Sequence, residues 1–246
     1  VFTLEIEEAL RLGQIDLAVH SLKDLPTEPV PGIVIGAVPE RGDVSDAVIS
    51  RSGVPLLDLP IGATIGTSSH RRAGQLRRMR PDFQPISIRG NIDNRIRKTF
   101  DPRGPYDAAV LATAGLERIG LLDAAVERIP LELMLPAPGQ GALGVQCRDD
   151  EASRAFLSAI DNPAARFATS AERAFLAGVG GGCSAPIACY GQLVGHRLTL
   201  HGRIVALDAS GQVDVRLTRD VFDEAGAIAA GALLASEALH SGAAEL

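Results

Sequence analysis

The chain has 246 residues, 46% of them hydrophobic and 22% charged, with a net charge of −6 at neutral pH. That length can bury a core in one large domain or two to three small ones, and the composition excludes disorder, collagen and coiled coil as global descriptions. No apolar run reaches the roughly 18 residues of a membrane helix, and three cysteines (Cys147, Cys183, Cys189) are too sparse for a disulfide framework, so a reducing, cytoplasmic setting without membrane contact is expected.

In chain order, Val1-Phe2-Thr3 carries neither an initiator methionine nor a signal pattern, and reads as a chain that has lost its beginning. Residues 3–12 predict a helix stopped by Gly13. Strands are expected over 16–20 and 32–38, and the turn at 39–43 reads as a domain crossing. A strand ending at Gly66 leads through Thr67-Ser68-Ser69 into a helix to Arg80, stopped by Pro81. A strand at 84–88, a helix capped by Asn91 to about Phe100, a strand at 106–111 and a helix through Arg118 follow. This alternation predicts βαβ units and a mainly parallel sheet.

Residues 136–141 (PAPGQG) form the second expected crossing, followed by a strand at 142–147 and a helix at 150–160. Asn162-Pro163 opens a helix to about Ala177. Gly180 to Cys183 reads as a flexible loop, and strands at 186–193, 196–207 and 212–219 and a helix at 222–239 close an α+β unit.

Charge is unevenly spread. Residues 71–103 hold ten basic and three acidic side chains, a local +7 that leaves −13 on the rest. An acidic chain with one basic zone suggests a localised anion site rather than general nucleic-acid affinity. Base stacking is also poorly served by 4% aromatics and no Trp. Of the 24 basic residues, only Lys23 and Lys98 are lysines.

Four stretches can carry chemistry. In Gly66-Thr67-Ser68-Ser69-His70-Arg71-Arg72, hydroxyls and amides at a helix N-terminus attract anions. Arg71 and Arg72 sit in the first turn against the dipole, a broken local rule that points to function; the plainer alternative is a Ser cap with solvated arginines. Arg89-Gly90-Asn91, with Arg95 one turn on, sits at the carboxyl end of a strand and suits bidentate carboxylate binding. Ser21-Leu22-Lys23-Asp24 presents a hydroxyl, an ammonium and a carboxylate at a strand end, and alone would read as a surface turn. Cys183 on its glycine loop is open between reactive thiol, attachment point and neither, whereas Cys147 in an apolar strand reads as buried. No His or Cys pair has metal-ligand spacing, so no metal is expected.

Together VHSLKD, GTSSHRR, RGN with Arg95, LATAGLERIG, PAPGQGA, SAERAFL and GGCSAP, in this order from Phe2 almost to the end, resemble the porphobilinogen deaminase (hydroxymethylbilane synthase) family. The resemblance implies two periplasmic-binding-protein-like α/β domains, the first incomplete, plus a C-terminal α+β domain. Domain 1 would comprise 1–40 and 141–160, domain 2 44–134, and domain 3 162–246. It implies a transferase of tetrapyrrole biosynthesis that joins four porphobilinogen molecules head to tail into hydroxymethylbilane with release of ammonia. A dipyrromethane cofactor, tethered through a thioether to Cys183, primes the chain. By the same resemblance Asp24 is the catalytic carboxylate. Ser21, Lys23, Thr67, Ser69, Arg71, Arg72, Arg89, Gly90 and Asn91 bind the cofactor, and Arg95, Arg118 and Gln140 bind substrate and the growing oligopyrrole. Members normally carry a strand, a helix and a Gly/Lys-rich loop ahead of the point where Val1 stands. The partners expected are porphobilinogen and the oligopyrrole, with no nucleic acid, on a monomer.

The chemistry agrees with the charge. Each pyrrole ring brings two carboxylates, so the growing chain is a polyanion suited to an arginine zone. An ordinary aspartate is ionised at neutral pH, so stabilisation of developing positive charge with proton shuttling is the role expected of Asp24. A non-enzymatic receptor for a small anion and a cysteine-dependent acyl or thiol enzyme are the competing readings; the first has no use for Asp24 or a loop thiol, and the second requires a low-pKa Cys183.

Overall fold

The computed structural model describes residues 2–180 and 186–246. Three sheets organise the chain. The first holds β1 (Leu17–Ser21), β2 (Ile33–Ala37) and β8 (Leu143–Arg148) in the order β1-β8-β2, with α1 (Phe2–Arg11) packed against it. Both pairings are antiparallel because β8 returns from the second crossing against the direction of β1 and β2.

The second sheet is built from β3 (Asp46–Ser50), β4 (Thr64–Gly66), β5 (Gln84–Ile86), β6 (Ala108–Ala112) and β7 (Glu127–Arg128), in the order β5-β4-β6-β3-β7. Only β4 runs parallel to its neighbours β5 and β6; β3 pairs antiparallel with β6 and β7. The expectation of a mainly parallel sheet is thus corrected to a mixed one. Its cause is β3, a strand absent from the expected elements and buried at every position. Its three apolar residues, Ala47-Val48-Ile49, between two polar ends carry no alternation by which to recognise it. The strand expected at 106–111 is shifted to Ala108–Ala112, and that expected at 84–88 stops at Ile86.

Helices α2 (His70–Met79), α3 (Ile92–Phe100) and α4 (Thr113–Arg118) follow β4, β5 and β6 respectively, so their N-termini gather at the carboxyl ends of those three strands. Ser69 caps α2 as expected, its hydroxyl accepting from the Arg72 amide at 3.4 Å. Asn91 stands at the N-cap of α3 without capping through its side chain, whose Oδ1 accepts from Asn94 instead.

The third sheet is an antiparallel meander of β9 (Ile187–Val194), β10 (Arg197–Val205) and β11 (Gln212–Asp220), covered by α6 (Pro163–Gly178) and α7 (Glu224–His240). Asn162 and Asp223 cap the two helices through bonds to Ala165 and Gly226 amides. Phe175, Leu200 and Leu234 centre this core. The helices touch so closely that a Cβ on Gly231 would stand 2.0 Å from the Ala171 carbonyl oxygen. The expected helix at 150–160 divides into α5 (Glu151–Leu157) and a 3-10 turn at Ser158–Ile160.

Two segments connect the first sheet to the second, and they run side by side. The Gly42 amide donates to the Gly141 carbonyl at 3.1 Å. Gly141 has φ +85°, and a Cβ there would lie 2.6 Å from Gly42 O, so only glycine serves. Both segments are fastened to α6. Glu172, 0% exposed, takes Arg41 in a two-pronged ion pair at 2.7 and 3.0 Å and accepts the amides of Gly139 and Gly191 at 2.6 and 2.7 Å.

Candidate active site: a cationic cleft between two sheets

The cleft begins where chain direction places strand ends. β1 ends at Ser21 and passes into a one-turn 3-10 helix, Leu22–Asp24, whose Leu22 is buried while Asp24 is exposed. Opposite stand the N-termini of α2 and α3 and the helix α4, at the carboxyl edge of the second sheet, where open α/β sheets characteristically bind ligands. The crossing at 137–141 closes the floor.

The resulting cavity, about 640 Å³, is lined by Ser21, Lys23, Asp24, Ser69, Arg71 and Arg72, together with Gly90, Asn91, Arg95, Arg118 and Gln140. Sequence reasoning placed all eleven at a site, and the fold brings them to one wall-to-wall space from five separate stretches of chain. Two of its residues do not come. Arg89 is exposed and its side chain does not line the cavity, because Gly90, at φ +117°, turns the chain between it and α3. Thr67 is buried and is not among the lining residues, its hydroxyl accepting from the Ser69 amide at 3.2 Å at the entry to α2. Cys183 lies outside the described residues.

The arginines of α2 are not solvated charges. Arg71 and Arg72 are only 3% and 6% exposed. Arg72 donates to Asp46 Oδ1 through Nε at 3.0 Å and Nη2 at 2.6 Å. Arg71 Nη1 lies 2.8 Å from Asp46 Oδ2, with its N–H aimed at the Leu135 carbonyl at 2.7 Å. Gln140 adds a third donor to Asp46 Oδ1 at 2.9 Å. Asp46, 0% exposed, is therefore the compensation for the helix-dipole rule that Arg71 and Arg72 break. It arrives through topology: β3 runs against β6, so its first residue pairs with Ala112, the last residue of β6, at the same sheet edge. Sequence reasoning missed Asp46; the one available signal was a lone acid heading the apolar run Ala47-Val48-Ile49.

The electrostatics follow from burial. The two guanidiniums hold the Asp46 carboxyl far below the usual carboxylate range, outweighing its desolvation. Burial, then Arg72, brings the Lys23 ammonium down to about 8, with Asp46 and Asp24 pulling the other way; its Nζ donates to Gln140 Oε1 at 3.3 Å. Arg95 is lowered by burial and by Arg72, and its Nε is tied to the Gly90 carbonyl at 2.6 Å. Arg118 is tied to the Gly141 carbonyl at 2.7 Å. One side therefore presents four guanidiniums, and opposite them the turn after β1 brings the Lys23 ammonium and the exposed carboxylate of Asp24. Arg71 Nε is buried and without a hydrogen-bond partner among the described residues, a donor available to an anion. Such a space takes a ligand with several carboxylates and sets one acid against any positive charge it develops.

Residues 1–155 match the family model described as porphobilinogen deaminase, dipyromethane cofactor binding domain, and residues 167–240 match porphobilinogen deaminase, C-terminal domain. The chain belongs to the porphobilinogen deaminase family. A porphobilinogen deaminase of Roseiflexus castenholzii is 47% identical over 244 residues, covering 98% of this chain and 78% of that protein. One from Geobacter metallireducens is 46% identical over 247 residues, covering 100% and 76%. One from a Roseiflexus species is 50% identical over 209 residues, covering 85% and 68%. The cleft lies wholly within the stretch matched by the cofactor-binding model of porphobilinogen deaminase, whereas α6, the third sheet and α7 fall largely in the C-terminal model.

Proposed function

We propose that the chain acts as a transferase joining four porphobilinogen molecules head to tail into hydroxymethylbilane, with release of ammonia, on a dipyrromethane primer held through Cys183. The observation that carries this reading is the convergence of Arg71, Arg72, Arg95 and Arg118 on one cleft opposite Lys23 and Asp24. The unpartnered Arg71 Nε and the cationic wall fit a cofactor bearing carboxylate side chains. When bound, dipyrromethane supplies the pyrrole end to which the next ring is joined. Arg71, Arg72 and Lys23 hold carboxylates at the buried end of the cleft, with Ser21, Ser69, Gly90 and Asn91 supplying polar contacts around them. Arg95, Arg118 and Gln140 take those of the incoming ring. Asp24 faces the positive charge that develops as ammonia leaves porphobilinogen, stabilises it, and passes a proton at its carboxylate oxygens.

The division into domains 1–40 with 141–160, 44–134 and 162–246 is part of the same proposal, supported by one sheet falling in each. We assign the protein to the cytoplasm as a monomer; two of its cysteines, Cys147 and Cys189, are buried free thiols, and no helix among the described residues is long and apolar enough to cross a membrane.

Intact mass spectrometry of protein purified from porphobilinogen-making cells tests the function. The wild type should exceed its sequence mass by one dipyrrole, and Cys183→Ser should lose that excess. A wild type at its plain sequence mass, with no hydroxymethylbilane formed from added porphobilinogen, would favour a small-anion receptor.

A further inference from the structure

We infer that Asp46 is a positioning residue of the cleft: without touching a ligand, its carboxylate aims Arg71 and Arg72, anchors Gln140, and leaves the arginine pair with one uncompensated positive charge facing the cavity. Asp46 is fully buried and is not among the residues lining the cleft. Its two oxygens nevertheless meet three side chains that are: Arg72 and Gln140 at Oδ1, and Arg71 at Oδ2. These come from two separate places, the first turn of α2 and the second crossing, so one group fixes the relative position of both.

The platform beneath it is stiff. Ala47, Val48 and Ile49, the next three residues of β3, are each 0% exposed; all three pair with β6, and Ala47 and Val48 pair with β7 as well. A group meant to hold charged side chains in register is best placed on such an element. The other arginines on the wall are held differently. Arg95 and Arg118 are tied to backbone carbonyls, which orient a guanidinium without cancelling its charge.

One acid is shared by two guanidiniums with Lys23 nearby, so the cluster keeps net positive charge while the repulsion between its members is contained. Loss of the carboxylate would leave two buried guanidiniums facing each other and an ammonium beside them. Arg71 and Arg72 would then keep only their bonds to the Leu135 and Val110 carbonyls.

The test is Asp46→Asn in the full chain, read in two ways. The first needs no ligand. Lys23 and Lys98 are the only lysines, so reductive methylation followed by peptide mass spectrometry reports each separately, with Lys98 as internal control. The pH midpoint of Lys23 modification is expected to fall by at least half a unit relative to wild type, while that of Lys98 stays put. An unmoved or raised Lys23 midpoint in a variant with native circular dichroism overturns the proposal. The second reading is kinetic and rests on the function proposed above: KM for porphobilinogen should rise at least five-fold with kcat within three-fold, and an unchanged KM likewise overturns the positioning role. A wild type that turns over no porphobilinogen would count against the functional reading, and the Lys23 profile would then decide for Asp46 on its own.

If Asp46→Asn does not fold, 15N-arginine spectra of the unmutated protein decide instead. The Arg72 Nε–H, assigned by its loss in Arg72→Lys, should exchange at least ten-fold more slowly than that of exposed Arg78, and equal exchange overturns the proposal.

Discussion

Glu172→Gln is the substitution whose cost the fold makes most calculable. Glu172 is fully buried, and its two oxygens receive four donors: two from Arg41 and one each from the Gly139 and Gly191 amides. Glutamine keeps the shape but turns one oxygen into a donor that faces donors, and it leaves the Arg41 guanidinium, whose side chain is 10% exposed, without its counter-charge. Breaking a buried pair by removing one partner costs about 3–5 kcal/mol. For a chain of this size that corresponds to a fall of about 6–20 °C in Tm. Urea unfolding followed by far-UV circular dichroism, with calorimetry alongside, measures it. Removing both charges in Arg41→Met with Glu172→Leu should recover part of the loss but not all, because two buried amides lose their acceptor at about 1–3 kcal/mol each. A Glu172→Gln loss below about 1 kcal/mol, the range of an exposed pair, would refute the claim that this ion pair fastens both crossings to α6.

Three further outcomes are expected. Asp24→Ala should leave the fold intact and lower turnover by about 10³, since a carboxylate 4 Å from developing positive charge contributes about 4 kcal/mol at an effective dielectric of 20 once ligand covers it; near-normal turnover with cofactor loaded would remove Asp24 from the mechanism. Lys23 titrates at about 8 in the fold, so its charge is lost above that pH, and KM for porphobilinogen should climb between pH 7.5 and 9.5. The fold disfavours protonated Lys23, a penalty present below about pH 8 and lifted as pH rises toward the unfolded value near 10.4, so in this window stability at zero ligand should increase with pH while affinity falls. Gly231→Ala puts a Cβ 2.0 Å from the Ala171 carbonyl, and thermal unfolding should register overpacking of about 1–3 kcal/mol; an unchanged Tm would mean that α6 and α7 are free to separate.

Much of the site could be read from local signals. Ser69, Asn162-Pro163 and the glycine-rich crossing each announce themselves by residue type, because caps and positive-φ turns are decided within a few residues. Lys23 and Asp24 were legible as a strand end that delivers polar groups. What stayed hidden depends on partners far along the chain. Asp46 meets Arg72 across 26 positions and Gln140 across 94, and nothing near it marks it as the compensating charge. Arg89 and Arg95 looked alike in sequence, yet Arg95 lies on the inward face of α3 and Arg89 precedes the Gly90 turn that leaves it outside. The direction of β3, which turned an expected parallel sheet into a mixed one, is a property of the pairing and is written in no single segment.

The paired crossings have a mechanical consequence. Two connections lying alongside one another, joined by the Gly42–Gly141 bond, act as a double pin. Lobes hung this way can swing apart about one axis but resist being wrung, so the gap between Asp24 and the arginine wall can widen as successive rings are added while the two sides stay in alignment. A single tether would have allowed the same opening and surrendered the aim.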